Sequence, residues 1–313
     1  MTRFIHLGIA MLLLLAAAAE AQNPVPASDS LKVITYNVQF LPGPAAAMNQ
    51  RKEPEYRAQR IAEEVAKFDI VALEEVFDQK WVDAIANGVQ AIWGERFHKL
   101  ASPMAEGHNY TGGCLLLSKY PFAETNTMVF EHFSKPEDFG FRADGFAAKG
   151  VIHARVALDG DQSTIDVFVT HLEARDDSLR PAQYAEMAAF IQRVADPSRP
   201  ALILGDLNTK GTPDQWDDAT SQYSVMMKAF GDARAGTGFV DVWPALMAKA
   251  HGGTSEQEST ETGKRIDYVL VSNPTASAVK FEPKTIRIDP YVDPKTLFLS
   301  DHSAVIAEFT LKP

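Results

Sequence analysis

The chain has 313 residues, 46% of them hydrophobic, and its 30 basic and 41 acidic side chains give a net charge of −11. That is ample for a sizeable core, while the acidic balance argues against tight sequence-independent binding of a polyanion, which needs a broad basic face. A lone cysteine, Cys114, excludes an internal disulfide, and no stretch after residue 22 is apolar for the 18 or more positions that a membrane span requires.

Arg3, the apolar run from Ile5 to Ala19 and the small-X-small site Ala19-Glu20-Ala21 predict a cleavable signal peptide over residues 1–21, and hence a secreted or periplasmic protein. Residues 22–30, polar and proline-containing, read as a linker, and 31–313 as one catalytic domain. Leu31 to Val38 alternates and is rich in β-branched residues, so it predicts a strand, ended by Pro42-Gly43-Pro44. Tyr56 to Phe68 predicts an amphipathic helix with Ile61, Val65 and Phe68 on one face, and Asp69 to Val76 a second, buried strand. Trp81, Ile85 and Val89 recur at helical spacing. Gly113 to Ser118 predicts a strand, with Cys114 a small buried residue inside it.

Val151 to Leu158 and Thr164 to Thr170 predict a strand pair joined at Asp159-Gly-Asp161, and Pro181 to Val194 a helix with proline in its first turn. Ala201 to Leu204 predicts a short buried strand leading into Gly205-Asp-Leu-Asn208, and residues 209–238 an Asp- and Gly-rich passage. Arg265 to Val271 and Ser303 to Phe309 are the last predicted strands. Many strands with intervening helices imply one α/β domain built on sheets.

Polar residues recur where these strands end. Asn37 closes the first and Glu75 the second; His171 follows Thr170; Asp206 and Asn208 follow Leu204; Asp267 sits in Ile266-Asp-Tyr-Val, and Asp301-His302 precedes the last strand. Each has a plain reading as a turn residue or a structural histidine, but ends of adjacent strands share one rim of a sheet. An extended Asp206-Leu-Asn208 puts both polar side chains on one face. Glu75, Asn37 and Asp301 offer hard oxygen ligands, which suit Mg²⁺, Mn²⁺ or Ca²⁺ rather than Zn²⁺. His171 and His302 suit acid–base work, with Asp267 able to hold the tautomer of His302. Such a set describes hydrolysis of a phosphate ester.

In order, Thr35-Tyr-Asn37, Leu73-Glu-Glu75, Thr170-His-Leu172, Gly205-Asp-Leu-Asn208, Arg265-Ile-Asp-Tyr268 and Ser300-Asp-His302 resemble the motifs of the endonuclease/exonuclease/phosphatase superfamily. The resemblance implies a four-layer α/β sandwich, two mixed β-sheets flanked by helices, with the site at one rim. It implies Asn37 and Glu75 at the metal and Asp206 and Asn208 orienting nucleophile or phosphate. His302 with Asp267 becomes the base dyad, and His171 an acid or transition-state stabiliser; whether His302 or Asp206 handles the water stays open. Tyr36-Asn-Val-Gln-Phe-Leu-Pro42, Glu74-Glu-Val-Phe-Asp78 and Ala143-Asp-Gly-Phe-Ala-Ala-Lys-Gly150 resemble the neutral sphingomyelinases more narrowly, with Asp144 and Lys149 at that group's spacing and Lys149 a point charge for the phosphodiester.

What this implies is a Mg²⁺-dependent, monomeric phospholipase C that meets a membrane surface transiently, takes a phospholipid and binds no nucleic acid stably. The alternative is a nuclease or a phosphatase of small esters such as inositol phosphates. Two departures stand out. Glu74 and Glu173 replace glutamines of the pattern and would add negative charge near the metal. Residues 274–299 offer Phe281, Tyr291, Leu297 and Phe298 but no aromatic pair for membrane insertion.

Overall fold

A computed structural model of the chain describes residues 29–312 apart from 50–51, 159–162, 235, 256–262 and 278. The expected signal peptide, all of the linker before Asp29, and the Asp159-Gly-Asp161 turn lie outside the described residues.

The chain opens with β1 (Ser30–Phe40), α1 (Gly43–Asn49), α2 (Pro54–Val65), β2 (Ile70–Val76), α3 (Gln79–Trp93), β3 (His98–Ala101) and β4 (Leu115–Ser118). It continues through β5 (Phe122–Val129), α4 (Pro136–Phe139), β6 (Gly150–Ala157), β7 (Thr164–His171), α5 (Arg180–Val194) and β8 (Ala201–Asp206). Then come α6 (Pro213–Trp216), α7 (Gln222–Ala233), β9 (Val240–Asp241), α8 (Val242–Met247) and β10 (Asp267–Ser272). It ends with β11 (Lys280–Asp289), the β12 (Val292–Asp293) and β13 (Leu297–Phe298) ribbon, and β14 (Ala304–Lys312). One sheet runs β11-β14-β1-β2-β4-β3 and the other β5-β6-β7-β8-β10-β9. Pairs β1–β2 and β7–β8 are parallel and each is bridged by helix, which makes both sheets mixed.

Alternation within each strand sets the layers. Leu31 and Val33 of β1 and Ile70 and Ala72 of β2 meet Val167, Val169, Leu202 and Leu204 between the sheets. The intervening residues, Ile34, Tyr36, Val71 and Leu73, pack outward on Ile61 and Val65 of α2 and Ile85 and Val89 of α3. Phe168, Ile203 and Leu270 likewise cover Tyr184, Phe190 and Phe230 of α5 and α7. The result is helix, sheet, sheet, helix: the four-layer sandwich.

Residues 209–238 depart from expectation. Their Asp and Gly content hides Tyr223, Met226, Phe230 and Ala233, which form the buried face of α7, capped where Ser221 accepts from the Ser224 amide. Strands β3, β5 and β9 were also not foreseen, since edge strands such as β5, mostly polar and open to water, carry no apolar run. Of the apolar candidates in 274–299, Phe281 and Tyr291 are buried, while Leu297 stands out beside Val292. No helix among the described residues is long and apolar enough to cross a membrane.

Arg57 ties the helical layer to the rim. Fully buried, it donates to the carbonyls of Leu299 (2.7 Å), Gln39 (3.3 Å) and Val38 and stacks over Phe40. Arg57→Ala strands three buried acceptors and costs on the order of 3 kcal/mol or more. Urea denaturation checks this; a loss well under about 1 kcal/mol would mean that the carbonyls find other donors.

Candidate active site

The same alternation that builds the core carries polar groups to the rim where the two sheets meet. Leu31 and Val33 are followed on the inner face by Thr35 and Asn37; Val167 and Val169 by His171; Leu202 and Leu204 by Asp206. Asp267 precedes Val269 and Val271 on β10 and pairs with Asp206 in register. Asn37 Nδ2 donates to Asp206 Oδ2 at 3.1 Å, so the rim is bonded across the two sheets.

His302 Nδ1 donates to both oxygens of Asp267, at 2.9 and 3.2 Å, which leaves Nε2 facing Asp206 Oδ2 at 3.9 Å. Thr254 Oγ1 accepts the Asp267 amide at 3.3 Å, and Ser300 Oγ accepts the His302 amide at 3.3 Å. Burial alone would lower the pKa of His302, but the charges of Asp267, Asp206 and Asp301 hold it well above the ordinary imidazole range. Burial, then the charge of Asp267, pushes Asp206 up to about 6. Asn208 sits beyond the strand end with φ 47°. Its amide donates to Asp206 Oδ1 at 2.9 Å, so an Asx turn rather than the strand pleat brings the two together. Asn208 Nδ2 donates to the Leu172 carbonyl at 3.0 Å.

Glu75 and Asp301 form a second acidic pair. Strand parity would send Glu75 to the helical side, but its left-handed backbone (φ 62°) breaks the alternation. Gly113 makes room: a Cβ there would lie 2.8 Å from the Phe77 ring and 3.3 Å from Glu75 Cα, at φ 76°. Loss of water around its carboxylate, then the charge of Asp301, pushes Glu75 up to about 7, against a hydrogen bond from Asn37. Asp301 in turn accepts from Gln39 Nε2; Gln39 reaches it through an irregularity in β1, at φ 50°. Two neighbouring carboxylates, the charge of one raising the pKa of Glu75, together with an amide oxygen make a donor set that suits a hard divalent cation. Among the described residues, the ligand atoms that cluster most closely belong to Asp206, Asp267 and His302, all within 4.8 Å of one another. The bonds of His302 to Asp267 suit that trio to proton transfer as well as to a metal, and Glu75, Asp301 and Asn37 are a second set that could hold a cation.

Lys149 arrives from the start of β6. It donates to Asp144 Oδ2 at 2.7 Å, to the Leu172 carbonyl at 3.0 Å and to His171 Nε2 at 3.2 Å. His171 Nε2 is therefore an acceptor and Nδ1 carries the proton, with no hydrogen-bond partner among the described residues. Burial, then the charges of Lys149 and His302, holds His171 well below the ordinary imidazole range. A depressed pKa and an Nε2 that accepts from Lys149 are compatible with the stabiliser role expected for His171.

Glu74 and Glu173, the two departures from the pattern, sit in different surroundings. Glu74 is fully buried and accepts from Thr35 Oγ1 at 2.9 Å, and burial, then the charge of Asp267, pushes its carboxyl well above the usual range. Glu173 serves a loop instead: it accepts from Ser134 N and Oγ and from the amides of Arg175 and Asp176, at 2.8 to 3.2 Å. Ser134 Oγ also accepts the Asp144 amide at 2.9 Å, so Glu173 braces the segment that presents Asp144 to Lys149. Beside this pair opens a pocket of about 460 Å³ whose walls include Phe77, Tyr110, Phe146, Arg142 and Arg175. Ser134, Thr254 and the two arginines carried no motif in the sequence, and Gln39, though inside one, was not singled out.

A model of the Endonuclease/Exonuclease/phosphatase family matches residues 34–302. Sphingomyelinase C of Bacillus cereus is 25% identical over 296 residues, spanning 86% of this chain and 83% of the relative. The crystal structure of sphingomyelinase C from Streptomyces griseocarneus is similar with a TM-score of 0.59 at 21% identity, covering 89% and 99% of the two chains. A beta toxin mutant from Staphylococcus aureus, solved with bound magnesium ions, is similar with a TM-score of 0.62 at 19% identity, covering 89% and 99%.

Proposed function

The chain belongs to the endonuclease/exonuclease/phosphatase family as a phosphodiesterase, and on that premise we propose that it is a Mg²⁺-dependent sphingomyelinase. It would cleave sphingomyelin to ceramide and phosphocholine after export by the leader over residues 1–21, with 31–313 as the catalytic domain. The observation that carries the substrate is the buried Lys149–Asp144 pair, set against His171 and sharing the Leu172 carbonyl with Asn208. Similarity to proteins named sphingomyelinase C supports it.

His302 takes the proton of the attacking water at Nε2, and Asp267 keeps Nδ1 protonated and the ring aimed. Asp206, close to that nitrogen, orients the water. Asn208 Nδ2 is a donor and Lys149 Nζ a point charge where phosphate charge grows, and neutral His171 accepts from Lys149 and holds it there. Glu75, Asp301 and Asn37 would hold the divalent ion, which when bound supplies charge stabilisation at a non-bridging oxygen. The bond from phosphorus to the ceramide oxygen breaks, and that oxygen takes a proton from solvent water to leave as the alcohol.

Purified protein with Mg²⁺ is expected to release phosphocholine from sphingomyelin micelles and to lose this activity in chelator. Phosphatidylcholine, DNA and inositol phosphates complete the panel. Cleavage of DNA or an inositol phosphate with sphingomyelin untouched would sink the substrate assignment while sparing the site chemistry.

A further inference from the structure

We infer that Glu173 is a positioning residue for Lys149, holding the ammonium where the phosphate is met by closing a ring of bonds behind it. The inference deepens the phosphodiesterase reading and rests on it for what the ammonium meets.

Lys149 carries a compact charge on a flexible four-carbon stem, so the place of that charge depends on what fixes the far end. Besides His171, two oxygens fix it: Asp144 Oδ2 at 2.7 Å and the Leu172 carbonyl at 3.0 Å. They come from different segments of the chain, and Glu173 holds both. It follows Leu172 directly, and its own backbone is clamped to α5. The Glu173 amide donates to Gln183 Oε1 at 2.8 Å, and its carbonyl accepts from Arg180 Nη1 at 3.1 Å. Its side chain reaches the other segment. Ser134 N and Oγ each donate to it at 2.9 Å, and Ser134 Oγ accepts the Asp144 amide at 2.9 Å. The ring therefore runs Lys149, Asp144, Ser134, Glu173, Leu172 and back to Lys149, with the Leu172–Glu173 peptide bond as its one covalent link. The same Leu172 carbonyl accepts from Asn208 Nδ2, so a shift at Glu173 moves both groups offered to the phosphate.

The residue type matters. Glu173 is fully buried and meets four donors: the Ser134 hydroxyl and the amides of Ser134, Arg175 and Asp176. Three of them share Oε1, and the Ser134 amide takes Oε2. Glutamine, the residue of the superfamily pattern, has one acceptor oxygen, and its NH₂ group would face a donor wherever it turned. With the oxygen kept for the three, it is the Ser134 amide that loses its partner. The loop itself stays on α5 in such a variant, because Gln183 Nε2 holds the His132 carbonyl and Glu186 the Glu131 amide, both at 2.7 Å. What loosens is the link from Ser134 to Asp144, and with it the aim of Lys149.

The test is a double-mutant cycle read by calorimetric titration of inorganic phosphate into the full chain with Mg²⁺. We expect Glu173→Gln to weaken phosphate binding by about tenfold, and by less than about twofold once Lys149→Met is present. Ser134→Ala, which spares the Ser134 amide and removes only the hydroxyl link to Asp144, should follow the same pattern. Hydrolysis of bis(p-nitrophenyl) phosphate gives the kinetic counterpart, with kcat/KM of Glu173→Gln lowered by about 10- to 100-fold. Equal losses with and without Lys149 would mean that Glu173 supports the fold and not the ammonium, and would overturn the inference. So would phosphate binding that neither Glu173→Gln nor Ser134→Ala alters, or that Lys149→Met leaves unchanged. If the unaltered protein binds phosphate but leaves the diester intact, the phosphodiesterase reading goes, and the binding cycle still decides the role of Glu173.

Discussion

His302→Ala is expected to lower kcat by about 10³-fold or more with little change in thermal stability, because it removes the group that takes the proton from water. The geometry makes the loss specific. Asp267 occupies Nδ1 from both of its oxygens, so Nε2 is the nitrogen left for chemistry. A base must be neutral, and the acidic neighbours of His302 raise its pKa. Activity should therefore rise with pH along a limb displaced upward from the ordinary imidazole value. Cation binding among those carboxylates lowers the limb again, so raising Mg²⁺ should shift it toward acid. Asp206→Asn distinguishes the competing assignment. If Asp206 were the base, that variant would erase the limb and His302→Ala would leave it in place.

Glu75→Gln is expected to weaken Mg²⁺ binding by at least about 100-fold, and at the same time to stabilise the metal-free protein at alkaline pH. Glu75 titrates near 7 in the fold against 4.5 for the free group, so between those values the native state holds more proton than the unfolded chain. Stability therefore declines as pH rises from about 4.5 to about 7, and the whole penalty is present above that window. Asp206 acts in the same direction between 3.8 and about 6. His171, depressed by burial, opposes them as pH rises toward 6.5. The variant removes the penalty of Glu75, so its metal-free melting temperature should exceed that of the unaltered protein at pH 8 and match it near pH 4.5. Mg²⁺ should raise the melting temperature of the unaltered protein more at pH 8 than at pH 5. Unchanged Mg²⁺ affinity in calorimetry would remove Glu75 from the metal site.

Much of the site could be read from the chain because it obeys the same period of two as the core. Leu202, Leu204, Asp206 is one inner face written in sequence, and so is Val167, Val169, His171. Where the period breaks, so does legibility. Gln39 sits at a left-handed backbone position, and nothing in a linear pattern says that it reaches Asp301. The surroundings of Glu74 were hidden for a different reason, since ionisation depends on burial, and a sequence shows a carboxyl group without its neighbours. Arg142 and Arg175 line one pocket on segments tied by Glu173 and Ser134, partners 39 residues apart that no motif joins.

The first described strand lies in the middle of its sheet, between β2 and the last strand, with Ser30 paired to Thr310. While the chain is being made, β1 can pair with β2 early but keeps its other edge bare until some 270 further residues have followed. His302 and Asp301, which complete the rim, belong to that same late arrival. Closing so long a loop is slow compared with local pairing. Catalysis consequently begins only with the final long-range pairing, and a chain stopped before Ala304 would carry most of the polar groups yet have no rim to hold them, which makes activity a reporter of completed synthesis as much as of chemistry.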